Sequence, residues 1–251
     1  MGVSQKRAQV SLSFDVDWAA DEILEDTIAL LDGANVKATF YATHRTPVLE
    51  RLDRKRYEIG VHPNLVPLLE GKSERSFREV LKEVMGLYDD VVGIRSHGLV
   101  TSGALHAHSK EVGLLYESNI YVPSPVPAFR DYDGLLRIAM YWSDWRELLV
   151  GTPYRADTLP LPADIPGILA FHPICVFLNS EKPSRYLDTK HLSLEEKRAA
   201  RHTGSPKGTR DFLIDLLERI ERENIETLTM REVAEAHVNL HGETIATHPE
   251  S

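Results

Sequence analysis

Four short apolar runs stop on side chains that can bind a cation or move a proton. "VSLSFDVDW", Val10 to Trp18, alternates Val10, Leu12 and Phe14 with serines and then stops at Asp15 and Asp17. "YEIGVH" stops at His62, "VVGIRSH" at Arg95 and His97, and "GILAFH" at His172. Singly, each has an ordinary structural use. An Asp pair suits a turn or a helix N-cap, and a histidine after an apolar run is commonly a hydrogen-bonded core or rim residue. Together the residue types make one chemistry. A carboxylate with neutral imidazoles is a ligand set for a divalent ion that keeps a position open for water. A second carboxylate can deprotonate that water, an arginine can hold this base ionised, and a further histidine can protonate a leaving group. This is the set for metal-assisted hydrolysis of an amide or ester.

These residues need a scaffold that brings strand ends to one place. The runs above, with "VKATFYA" from Val36 to Ala42, alternate with helical patterns such as "DEILEDTIALLDGAN" and "SFREVLKEVMGLYDD". In the second, Phe77, Val80, Leu81, Val84 and Leu87 form one face. Strand–helix alternation predicts an α/β fold with a parallel sheet or barrel, whose strand C-termini converge on one mouth. Toward the end, a helix precedes a short strand around Ile225 to Leu228 and a last helix begun by Thr229. Two stretches read as long loops: Tyr121 to Pro166, which holds half of the prolines, and the polar, basic Ser180 to Arg210. No repeat or domain boundary is indicated, so residues 1–251 are expected to form a single domain, with 239–251 as a flexible tail.

With 42% hydrophobic and 27% charged residues, the composition is that of an ordinary globular chain with ample core. The net charge of −9 argues against nucleic acid or an anionic membrane surface as partner. No stretch approaches about 18 consecutive apolar residues, so no membrane span is expected. The start, "MGVSQKRAQVSLSFD", lacks an apolar leader, which places the expected location in the cytoplasm. Cys175 is the one cysteine, which excludes an internal disulfide; in "FHPICVFLN" it reads as a buried structural thiol.

From about Val10 to Leu228 the sequence resembles the NodB-homology polysaccharide deacetylases of carbohydrate esterase family four. Within them it is most similar to the divergent O-antigen-cluster, WbmS-like group. The resemblance implies a distorted (β/α) barrel of about seven parallel strands. "SFDVD" matches the Asp-x-Asp form of the first motif, implying Asp15 as base and Asp17 as metal ligand. The second motif, His-Ser/Thr-x-x-His, is reduced to His62, because Val66 stands where the second histidine is expected. "GIRSHGL" approximates the third, with Arg95 as the arginine that braces the base. His97 is inferred to replace the missing ligand, since two ligands hold a divalent ion weakly, and Asn64 is the rival candidate. "YWSDWRE" resembles the fourth motif and supplies Asp144, implied to tether the arginine, and Trp145. Trp145, with Trp142 or Tyr141, either walls a pocket for a small acyl group or packs in the core. "ILAFHP" resembles the fifth, making His172 the general acid and Leu169 a pocket wall.

The resemblance implies one bound divalent metal, zinc before cobalt, nickel or manganese, and a carbohydrate or sugar-conjugate substrate losing an N-acetyl group. The basic loop with Lys207 and Arg210 either meets phosphates of such a conjugate or is a solvated flap. His44 is a candidate for the mouth, while His106, His108, His191 and His202 read as solvated surface residues. Two other functions compete: a metal- or glycan-binding barrel without turnover, and a hydrolase of another amide or imide C–N bond.

Overall fold

The computed structural model describes residues 7–17 and 19–242. In chain order the first half comprises β1 (Gln9–Asp15), α1 (Asp21–Gly33), β2 (Ala38–Ala42), α2 (Pro47–Glu50), β3 (Tyr57–Val61), α3 (Val66–Leu69), α4 (Phe77–Met85), β4 (Gly93–Ile94) and α5 (Gly103–Glu111). Next come β5 (Tyr116–Glu117), β6 (Phe129–Arg130), β7 (Leu136–Arg137), β8 (Trp142–Ser143), α6 (Asp144–Val150), β9 (Gly167–Phe171) and α7 (Pro173–Leu178). The chain continues through α8 (Pro183–Thr189), α9 (Leu194–Ala199), α10 (Thr209–Glu223), β10 (Glu226–Thr227) and α11 (Met230–Leu240).

The strands form one sheet in the order β6-β7-β5-β4-β3-β2-β1-β9-β8, with β10 beside the start of β1. Only β6 runs antiparallel to its neighbour. The result is a curled, mostly parallel half-barrel: the parallel sheet that the strand–helix alternation predicts, in the distorted barrel form that the resemblance implies. Among the described residues there are ten strands: β1, β2, β3 and β9 span five to seven residues and the other six are two-residue pairs.

Period-2 alternation decides what each face carries. Val10, Leu12 and Phe14 of β1, Phe40 of β2, Ile59 of β3 and Phe171 of β9 point into the larger apolar cluster, shared with α1, α7 and α10. Phe14 stacks between Phe40 and Phe171, at centroid distances of 5.1 and 5.4 Å. The alternate residues, Ser11, Ser13, Thr39, Tyr41 and Glu58, are buried on the concave side. There a smaller cluster joins Tyr41, Tyr116 and Ile168 to Met230 and Val233 of α11. Met230 and Arg231 donate their backbone N–H groups to Thr39 Oγ1 (2.9 Å) and Glu58 Oε2 (2.7 Å). Thus α11 closes the end of the half-barrel away from the strand C-termini, and those C-termini stay open.

Several expectations are corrected. Ser180 to Arg210 is not a bare loop but carries α8 and α9. Of its cations, Lys207 pairs with Asp215 and Arg210 with Asp26. Tyr121 to Pro166 holds β6 to β8 and α6. Of the expected tail from 239, residues 239 and 240 belong to α11, and residues 243–251 lie outside the described residues. Thr229 does begin the last helix, in a capping box with Glu232. No helix among the described residues is long and apolar enough to cross a membrane.

On the concave side, large rings fill space left by glycine. A Cβ at Gly93 would lie 2.0 Å from the Tyr116 ring. Gly93→Ala is expected to cost about 1–3 kcal/mol by overpacking, measured by urea denaturation. An unchanged midpoint would show that Tyr116 moves aside without cost.

Candidate active site

Strand register gathers the polar residues into one row. Phe14 pairs with Phe171, Asp15 with Tyr41, Ala42 with Val61, Val61 with Ile94, and Ser143 with Ala170. The residues that follow the last pairs are Asp144, His172, His62 and Arg95, with Asp15 among them. Asp15, Asp17, His62, His97 and His172 line one cavity of about 580 Å³ at the open mouth.

Asp17, His62 and His97 meet at a single oxygen. Asp17 has φ 45°, a left-handed conformation that aspartate adopts more readily than most residues, and the turn brings its carboxylate back over the strand end. Its Oδ1 lies 3.2 Å from His62 Nε2 and 2.8 Å from His97 Nδ1. The His97 backbone N–H donates to the Pro63 carbonyl (3.0 Å), which ties the two histidine-bearing loops together. Donors about 3 Å apart are the spacing expected around one ion with bonds of about 2.1 Å. One carboxylate and two imidazoles, with ligand atoms all within 4.8 Å of one another, therefore fit a zinc-type ion. The structure brings His97 and not Asn64 to this group, because Asn64 Oδ1 instead accepts from the Val66 N–H.

Asp15 is held from below. Arg95, fully buried, donates through Nη1 to Asp15 Oδ1 (3.0 Å) and Ser13 Oγ (2.9 Å), and through Nε and Nη2 to the Ser118 carbonyl and hydroxyl. Its guanidinium lies 4.4 Å from the Tyr41 ring centroid. Ser13 and Ser118 are partners that motif reading missed; the position of Ser13, two residues before Asp15 on the same strand face, was a usable signal.

Asp144 does not tether Arg95, contrary to what the resemblance implied. Its Oδ2 accepts the His172 backbone N–H (2.8 Å), and its Oδ1 lies 2.7 Å from His172 Nδ1. Asp144 is thus the acidic partner of His172, and with Nδ1 so engaged, Nε2 faces the cavity, 3.6 Å from Asp17 Oδ2.

The remaining wall is largely apolar, with Trp145, Leu149, Ile174 and Tyr186 among its residues. Trp145 sits between His172 and Tyr186, at centroid distances of 6.3 and 6.0 Å. Leu169 is corrected: it shares the outward face of Phe171 and lies wholly in the core. Trp142 stacks on Phe212 in that core, and Tyr141 donates to the Pro160 carbonyl, so neither walls the cavity. His44 bonds to Thr43 away from the cavity lining. His106 is not a solvated surface residue but is buried beside Thr101, Glu117 and Asp133. Cys175 is buried as expected, and also reaches the cavity floor.

The electrostatics are those of a site built around negative charge. Burial alone would raise the Asp17 carboxyl, but hydrogen bonds from His62 and His97 hold it below the usual carboxylate range. The bond to Asp17 raises His97, against the effect of burial. Burial would lower His172, yet the charge and hydrogen bond of Asp144 raise it to about 10. A field that protonates imidazoles in this way also attracts a cation.

Residues 12–190 match the WbmS-like polysaccharide deacetylase family, and the chain belongs to that family. A crystal structure of WbmS from Bordetella bronchiseptica, assigned as a polysaccharide deacetylase involved in O-antigen biosynthesis, is 36% identical. It aligns over 85% of this chain and 91% of that one with a TM-score of 0.79. At 21% identity, a protein from Mycobacterium smegmatis assigned as a polysaccharide deacetylase shares the fold, covering 100% and 97% of the two chains with a TM-score of 0.53. So does the peptidoglycan deacetylase PdaC from Bacillus subtilis, with 12% identity, 96% coverage of each chain and a TM-score of 0.50. No curated protein matches the chain.

Two predictions follow from the geometry. Arg95→Met leaves the Asp15 carboxylate buried without its counter-charge and is expected to cost about 3–5 kcal/mol in denaturant unfolding. Adding Asp15→Asn should recover part of that loss, and no recovery would show that Arg95 acts through packing alone. For His172 in metal-free protein, the folded pKa lies above the unfolded value of 6.5, so its contribution is complete below that value and is lost as pH rises toward about 10. The stability difference between wild type and His172→Gln should therefore shrink across that interval, and a difference that grows with pH would refute the Asp144 pairing.

Proposed function

We propose that the chain is a divalent-metal-dependent deacetylase that hydrolyses the N-acetyl amide of an amino sugar in a bacterial glycan or its precursor. The observation that carries this reading is the convergence, in one cavity, of a carboxylate–imidazole triad with two separately braced proton carriers. The family membership and the O-antigen assignment of the 36% identical relative support the sugar substrate.

Asp17, His62 and His97 would hold the ion, which when bound activates water and polarises the amide carbonyl as a Lewis acid. Asp15 accepts the proton of the attacking water, and Arg95 holds its carboxylate by a hydrogen bond at the cavity. Asp144 fixes the His172 ring so that Nε2 faces the scissile bond and delivers a proton to the departing amine. Trp145, Leu149, Ile174 and Tyr186 offer an apolar wall to the acyl methyl and one sugar face. Proton transfer needs both carriers, which a binding-only barrel does not.

The test is acetate release from N-acetylated amino-sugar oligosaccharides before and after chelation and reloading with zinc or cobalt. Activity should vanish with the metal and return on reloading. Asp15→Asn and His172→Ala should each lower kcat by about 10²–10⁴ with little change in KM. Loaded protein that binds glycans without releasing acetate would establish the binding barrel instead. Ring opening of cyclic amides without sugar deacetylation would establish the other hydrolase.

A further inference from the structure

Beside the Asp17 triad lies a second group whose chemistry the reaction uses only in part. One potential ligand atom from each of Asp144, His172 and Cys175 lies within 4.8 Å of the others. His172 caps the N-terminus of α7 and Cys175 falls three residues later, on the same helical face. Cys175 is only 1% exposed, yet it lines the cavity floor. The two groups adjoin through Asp17, whose Oδ1 faces His62 and His97 while its Oδ2 lies 3.6 Å from His172 Nε2.

We propose that Asp144, His172 and Cys175 form a second, weaker site for a thiophilic divalent cation such as zinc or cadmium, and that filling it breaks the Asp144 bond that holds the proton donor in position. One sulfur, one imidazole nitrogen and one carboxylate oxygen select a soft or borderline ion over magnesium or calcium. Three carboxylates in and around the cavity draw a second cation despite the first. The site is weaker because a cation must displace both the proton of a buried thiol and the hydrogen bond between His172 and Asp144. The Asp17 triad contains no thiol. On binding, the thiol proton and the His172 Nδ1 proton pass to solvent, a sulfur–cation bond and an Nδ1–cation bond form, and Nε2 keeps its proton on a ring that the Asp144 bond no longer holds. Nothing is oxidised or reduced. Binding stands on the geometry alone, whereas its inhibitory effect rests on the proposed role of His172.

The test is a cadmium titration followed by ultraviolet thiolate-to-cadmium charge transfer, with bound cadmium measured in parallel. Cys175 is the only cysteine of the chain, so any thiolate band reports this site. Wild type should develop the band after a first, silent equivalent has bound. Cys175→Ser should bind that first equivalent and show no band, and His62→Ala should keep the band. His172→Gln should need at least about tenfold more cadmium, since loss of even an outer partner commonly costs that much. No band in folded wild type, or a band unmoved by His172→Gln, overturns the proposal. If Cys175→Ser does not fold, the comparison of wild type with His172→Gln still decides. Failure of the deacetylase reading would appear separately, as absence of acetate release from protein holding one equivalent.

Discussion

The contact on which the site depends is the buried ion pair between Arg95 and Asp15. A carboxylate on the concave face of a sheet is costly unless charge and hydrogen bonds compensate it, and Arg95 supplies both. The same guanidinium reaches Ser13 on β1 and Ser118 just beyond β5, and lies over the Tyr41 ring on β2. Through Tyr41 it is joined to a deeper network. Tyr41 bonds to Tyr116, Tyr116 to Glu58, and Glu58 to the N-terminus of α11. The half-barrel therefore has a polar spine running from its closed end to its open mouth, and Asp15 is that spine's tip at the cavity. Apolar packing lies on the other side of the strands, where Phe14 and its stacked neighbours fill the sheet–helix interface.

How much of this was legible in the sequence depended on whether one strand or two had to be read. The polar ends of the apolar runs were visible as single-strand patterns, and parallel strands place such ends together. Thr229 was legible as a cap for the same local reason. The pairing of Asp144 with His172 was not, because it joins β8 to β9 and follows only from their register, Ser143 beside Ala170. Leu169 is different, since its parity was available: it stands an even step from Phe171 and an odd step from His172, so it faces the core that Phe171 faces. A family motif carried it to the wrong side. His106 looked like surface on a polar helix, and its burial is set by Glu117 and Asp133, which no local pattern connects to it.

The residues of the site are also held with unequal firmness, and the inequality follows their proposed work. Asp144 and His172 stand at strand-to-helix junctions, where α6 begins directly after β8 and α7 begins at Pro173, so strand and helix both fix them. Asp15 is a strand residue braced by Arg95. Asp17 and His97, by contrast, lie in turns containing left-handed backbone: Asp17 itself has φ 45°, and Gly98 and Leu99, following His97, have φ 67° and 55°. Proton carriers must keep their position in every state of the reaction, because transfer fails when the donor drifts. Ion ligands need no such independence, since the ion they share organises them and binding energy is available to order the turns. On the proposed mechanism, the proton carriers stand on strand ends and strand–helix junctions, beside turn-borne ligands that a cation could draw together.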